Sequence, residues 1–84
     1  MERAVALARI TATPGVCGGR PCIAGTRIAV EIVLENLSEG VSHAELLQAY
    51  PSLREEDISA TLVFAAELSR MSVETLPFDE PAQT

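Results

Sequence analysis

The chain has 84 residues, with twelve acids against six arginines, two cysteines, no lysine and a formal charge of −6. A single domain of this size buries only ~60–65% of its unfolded surface, which argues against a deep enzyme cleft, and the excess acid argues against a free-standing, non-specific nucleic-acid binder. The missing lysine excludes a Walker-type phosphate loop, a Schiff base and a lysine general base.

The charge is unevenly placed. Residues 1–30 hold four arginines and one acid, a sum of +3, whereas residues 31–84 hold two arginines and eleven acids, a sum of −9. A weakly cationic N-terminal unit therefore precedes a strongly anionic remainder. The longest apolar runs, Ala4–Ala8 and Leu62–Ala66, fall far short of the ~20 residues of a membrane span. No signal peptide is read at the N-terminus. The expected setting is a reducing cytoplasm with both thiols free.

In chain order, the alternation of Leu7, Arg9 and Thr11 with Ala8, Ile10 and Ala12 predicts a short half-buried strand. Thr13-Pro14-Gly15 breaks it with a turn, and Gly18-Gly19-Arg20-Pro21 is a second breaker. Cys22-Ile23-Ala24, Gly25-Thr26 and Arg27-Ile28-Ala29-Val30 read as strand, glycine-assisted turn or bulge, and strand. Together they predict a small β-ribbon that needs something to pack on.

From Val30 the apolar period becomes helical through Val33, Leu34 and Leu37, and Gly40 stands where a glycine ends a helix. Ser42-His43-Ala44-Glu45 predicts a capping box for a second helix, which Pro51 ends. Ser52-Leu53-Arg54-Glu55 offers another box for a third helix, running from about Glu55 to about Met71. On that helix Ile58, Leu62, Ala65 and Ala66 form one apolar face, and Thr61, Phe64 and Leu68 widen it, so it is either the central core helix or a subunit contact. Residues 1–72 are expected to form one unit and residues 73–84 a flexible acidic tail. The expected fold is mainly α: a short N-terminal β-ribbon followed by a tri-helical helix-turn-helix pattern.

The wording of residues 14–66 is more specific than the pattern. Pro14-Gly15-Val16-Cys17-Gly18-Gly19-Arg20-Pro21-Cys22-Ile23-Ala24-Gly25-Thr26-Arg27-Ile28, with Gly40, Ser42, Tyr50-Pro51, Leu53, Glu56-Asp57-Ile58 and Ala65-Ala66, resembles a prokaryotic family. That family is catalogued as a domain of unknown function, number four-three-three, with an antitoxin-like helix-turn-helix. The resemblance covers about residues 9–68. It implies a homeodomain-like tri-helical unit, dimeric assembly, and a role as antitoxin of a type II toxin–antitoxin pair whose toxin is often a PIN-like ribonuclease. Arg54 departs from the family, which often has serine or threonine there, and this shifts the expected helix cap to Ser52.

Candidate chemistry is sparse. Cys17 and Cys22 lack the further soft donors that zinc needs, His43 being the only histidine, and read as small apolar ribbon residues; no metal or other cofactor is expected. Either thiol with His43 would be the only nucleophile–base pair available, against which His43 reads as a solvated surface side chain. The ribbon glycines read as turn and bulge residues rather than a phosphate cradle. Arg20 and Arg27 either grip DNA phosphates and guanine edges or form ion pairs with glutamates of the acidic half. Because Glu55, Glu56 and Asp57 would repel phosphate from the third helix, the candidate DNA contacts are Arg9, Arg20, Arg27 and Arg54. The candidate partner contacts are Met71, Leu76, Phe78, Asp79 and Glu80, where Leu76-Pro77-Phe78 reads as a docking peptide or as core.

The expected function is that of an antitoxin, not an enzyme, which occludes a toxin ribonuclease with its acidic half and tail and is able to bind operator DNA. The alternatives are a DNA-binding regulator without a toxin partner and a purely structural dimerisation module.

Overall fold

A computed structural model describes residues 1–71. The chain forms a short helix α1 (Arg3–Leu7), strand β1 (Ile10–Thr11), a 3₁₀ turn (Cys17–Gly19), strand β2 (Cys22–Ile23) and helices α2 (Val30–Ser38), α3 (His43–Ala49) and α4 (Glu55–Met71). The domain is thus mainly helical, with a two-stranded antiparallel ribbon near its N-terminus. The ribbon pairs Ile10 with Ile23 and Thr11 with Cys22.

The first departure from the sequence reading is α1. The expected strand across Leu7–Ala12 shrinks to Ile10–Thr11, and the residues before it are helical. An alternation of two types over six residues cannot outweigh an alanine-rich stretch that finds a helix to pack on. Ala6 and Ala60 are both fully buried, and small side chains allow α1 to lie close along α4. The two run antiparallel: Arg3 reaches Glu67 at 3.3 Å and Arg9 reaches Asp57 at 2.8 Å.

Both ribbon turns follow from their residues. Pro14 and Gly15 occupy the centre of a turn closed by the Val16 amide on the Thr13 carbonyl (3.0 Å). Gly25 has φ +79°, a conformation that suits only glycine without strain, and the Thr26 amide closes that turn on Ile23. The Thr26 hydroxyl then donates to the Ile23 carbonyl (2.8 Å) and accepts from the Ile28 amide (3.0 Å). The expected strand Arg27–Val30 is not formed. Only Ala29 bridges Cys22, and α2 starts at Val30.

Three helix ends are set by local chemistry. Gly40 (φ +87°) ends α2 with the Val41 amide on Asn36 and its own amide on Leu37, both 3.1 Å, which satisfies two orphan carbonyls. Ser42 and Glu45 form the reciprocal capping box of α3. The start of α4 corrects the expectation for Ser52. Arg54 precedes the first turn, and its amide donates to Asp57 Oδ2 at 2.9 Å, so an acid inside the helix supplies the cap that the arginine side chain cannot.

Ile23, Val30, Val33, Leu46, Leu53 and Ile58 make the core, so α2, α3, α4 and the ribbon share one apolar centre. Helix α4 is its central element. Its buried face runs through Asp57, Ile58, Ala60 and Thr61, whereas Leu62 and Leu68 are each 45% exposed and Ala66 is exposed. The expected stripe through Leu62 and Ala66 was rotated, because α1 and the ribbon claim the side bearing Asp57 and Ala60.

Two outcomes follow for stability. Arg9→Met strands a buried carboxylate and costs about 2 kcal/mol, since Arg9 itself is one-third exposed. Adding Asp57→Asn to that variant costs much less than the same change in the parent protein; additive urea-denaturation energies would contradict the pairing. Arg70 (2.7 Å), aided by Arg3, holds the Glu67 carboxyl below its ordinary value. A carboxylate depressed by folding contributes stability that is present above its unfolded-state value and lost as pH falls through its folded one. Glu67→Gln therefore flattens the acid limb of the stability–pH curve only, and an unchanged acid limb would exclude this role.

Candidate functional site

The functional candidates divide into the ribbon and a set of exposed acids on the helices. On the ribbon, the turn at Gly25 projects Arg27 outward while Ile28 packs against the core. Arg27 stands between two open clefts. One, of about 410 Å³, is lined by Cys17, Arg20, Arg27, Ile28, Ile32 and Tyr50 among others. The other, of about 560 Å³, is lined by Thr11, Thr13, Val16, Gly25, Thr26 and Arg27. Arg27, with the Thr11 and Thr13 hydroxyls in one cleft and Tyr50 in the other, offers donors for phosphate or carboxylate oxygens, whereas the Thr26 hydroxyl is spent on the Ile23 carbonyl and Glu31 adds an acid to the first cleft.

The four arginines singled out from the sequence are in different situations. Arg9 is tied to Asp57, and Arg20 forms an ion pair with Glu31 at the start of α2. Arg27 and Arg54 are exposed, and among the described residues neither has an ion-pair partner. Arg20 and Arg27 share the first cleft; Arg54 lies at the start of α4. Of the expected partner contacts, Met71 ends α4 and is 73% exposed. Leu76, Phe78, Asp79 and Glu80 lie outside the described residues.

The second set is acidic. Glu35 and Glu39 on and after α2, Glu45 on α3 and Glu56 on α4 are all exposed, and among the described residues none forms an ion pair. Glu45 is held in the α3 cap. Glu55 has its Oε2 2.6 Å from His43 Nδ1, which joins the starts of α3 and α4.

The thiol and histidine candidates are apart in their partners. Cys17 donates to the Arg27 carbonyl (3.2 Å), whereas His43 engages Glu55. Among the described residues no three His, Cys, Asp or Glu side chains are grouped to hold a metal. No described helix is long and apolar enough to cross a membrane. Sequence reasoning missed Thr11, Thr13 and Tyr50 as cleft-lining residues. Tyr50 was readable only as part of an apolar helix face, and it turns toward the ribbon because Pro51 ends α3 there.

The family model described as a protein of unknown function, DUF433, matches residues 10–65. The chain belongs to the DUF433 family. A crystal structure of a DUF433 member protein from Anabaena variabilis is similar with a TM-score of 0.69 and 34% identity, covering 86% of this chain and 73% of that one. An uncharacterized protein, y4eO, of Sinorhizobium fredii (strain NBRC 101917 / NGR234) is 36% identical over 56 residues, which are 67% of this chain. The chain covers only 25% of that relative's length. The DUF433 stretch includes Arg20, Arg27, Arg54 and the four exposed glutamates, whereas α1, Arg9 and Met71 lie outside it.

Replacing Arg27 with alanine should change stability by less than about 0.5 kcal/mol, as expected for an exposed side chain without a partner. A large loss in thermal or urea unfolding would show that Arg27 has a structural role instead.

Proposed function

We propose that this DUF433 domain is the antitoxin of a type II toxin–antitoxin pair and neutralises a PIN-like ribonuclease by occlusion in the cytoplasm. The observation that carries the reading is that Glu35, Glu39, Glu45 and Glu56, spread over the three later helices, are exposed and have no ion-pair partner among the described residues. A ribonuclease must present cationic surface to RNA, and an anionic protein surface both steers toward it and competes for it. The mechanism needs no covalent step. Met71 and the segment bearing Leu76, Phe78, Asp79 and Glu80 extend the same contact, and a homodimer would present two such faces.

The test is inhibition of the ribonuclease encoded in the adjoining reading frame. Joint substitution of the four glutamates by glutamine should slow association by ~10-fold or more at low salt, with the difference shrinking as salt rises. Equal inhibition by both forms, or an adjoining frame without a ribonuclease, would count against the reading. Truncation after residue 71 should weaken inhibition further; full inhibition by the truncated chain would remove the tail from the contact.

A second reading, DNA binding by the ribbon, is favoured by one observation: Arg27 is exposed between two clefts with threonine donors on one side. It predicts a salt-dependent mobility shift on the upstream DNA of the gene, lost in Arg27→Ala. No shift at low salt, with or without the partner, would sink it.

A further inference from the structure

The two cysteines are five positions apart on either side of the Gly18–Pro21 loop, and the fold brings their side chains to the same short stretch of backbone. Cys17 Sγ lies 3.2 Å from the Arg27 carbonyl oxygen, and Cys22 Sγ lies 3.6 Å from the carbonyl oxygen of the preceding residue, Thr26. The two thiols also meet each other, the Cys22 side chain being within hydrogen-bond reach of Cys17. Cys17 also has φ +51°, a left-handed conformation that non-glycine residues rarely adopt, followed by Gly18 and Gly19 in the same region. Cys17 is half-buried and lines the open 410 Å³ cleft, whereas Cys22 is 1% exposed. One thiol is reachable from solvent and the other is stored behind it.

We propose that Cys17 and Cys22 form a reversible modification site, in which a hydroperoxide oxidises the pair to an intramolecular disulfide that clamps the loop carrying Arg20. In the first step the Cys17 thiolate attacks the terminal oxygen of the hydroperoxide. The O–O bond breaks, Cys17 becomes a sulfenic acid, and the alcohol leaves after taking up a proton. In the second step the Cys22 thiolate attacks the Cys17 sulfur, the S–S bond forms, the S–O bond breaks, and hydroxide leaves as water. Two thiols and one hydroperoxide thus give one disulfide, one alcohol and one water. Bridging withdraws Cys17 Sγ from the Arg27 carbonyl, so the clamp alters the backbone beside Arg27 as well as that of Arg20.

The environment sets the rate. Partial burial, then the hydrogen bond and charge of Cys22, hold the Cys17 thiol above its ordinary value, while Arg27 opposes them. Little thiolate is present at neutral pH, so oxidation speeds up as pH rises.

The experiment treats the full chain with tert-butyl hydroperoxide at several pH values and follows intact mass and peptide maps. The expected product has the mass of one chain less two hydrogens, links the Cys17 and Cys22 peptides, forms faster at higher pH and reverts with dithiothreitol. Cys17→Ser, at the accessible position, should give no linked product while its urea midpoint stays close to that of the reduced parent. Oxygen addition at Cys17 with Cys22 left as a thiol would overturn the proposal. So would disulfide-linked dimers alone, or no reaction after hours at alkaline pH. If Cys17→Ser fails to fold, blocking the reduced parent with iodoacetamide before oxidation supplies the same control: Cys17 alkylates first and the linked product disappears.

Discussion

The side chain of Asp57 is the point on which the rest of the structure turns. It is 4% exposed, and its two oxygens have different partners: Oδ1 takes the Arg9 guanidinium at 2.8 Å and Oδ2 takes the Arg54 amide at 2.9 Å. Its own carbonyl accepts the buried Thr61 hydroxyl at 2.9 Å. One carboxylate therefore starts the central helix, fixes its first turn, and ties it to the chain that enters the ribbon. Arg9 extends the tie, because its carbonyl receives the Ala24 amide at 2.8 Å. A buried carboxylate is costly unless both oxygens are used, and here both are.

That arrangement changes the meaning of the charge asymmetry. The cationic first thirty residues do not present four free arginines. Arg3 goes to Glu67, Arg9 to Asp57 and Arg20 to Glu31, so three of the four are matched by acids of the helical half. Among the described residues, the pairing leaves Arg27 on the ribbon, Arg54 at the start of α4 and the glutamates Glu35, Glu39, Glu45 and Glu56 exposed without ion-pair partners. The proposed toxin contact and the proposed DNA contact thus draw on different residues.

Much of this was legible in the sequence. Gly40, Ser42 with Glu45, and Pro14-Gly15 each announce a helix end or turn through side chains within a few residues, and the structure realises them by those same groups. Features that rest on distant partners were not legible. Helix α1 owes its form to α4, more than fifty residues on, and the rotation of the buried face of α4 follows from α1 covering one side. The cap of α4 was misplaced at Ser52 for a related reason: Asp57 reads from sequence as one of three surface acids in a first turn, and nothing local distinguishes it from Glu55 or Glu56. Among the site residues, the arginines were identifiable as candidates by charge. Which of them are already paired depended on the fold.

Hydrogen exchange of Asp57→Asn, measured amide by amide, tests most directly whether this carboxylate couples the ribbon to the helices. The account predicts that the Ile23 and Ala24 amides of the ribbon lose protection together with the Asp57-position and Ile58 amides of the first turn of α4. Protection of Val41, in the cap between α2 and α3, should persist. If only the first turn of α4 opens while the ribbon amides keep their parent protection, Asp57 is a local cap and the ribbon is held by something else.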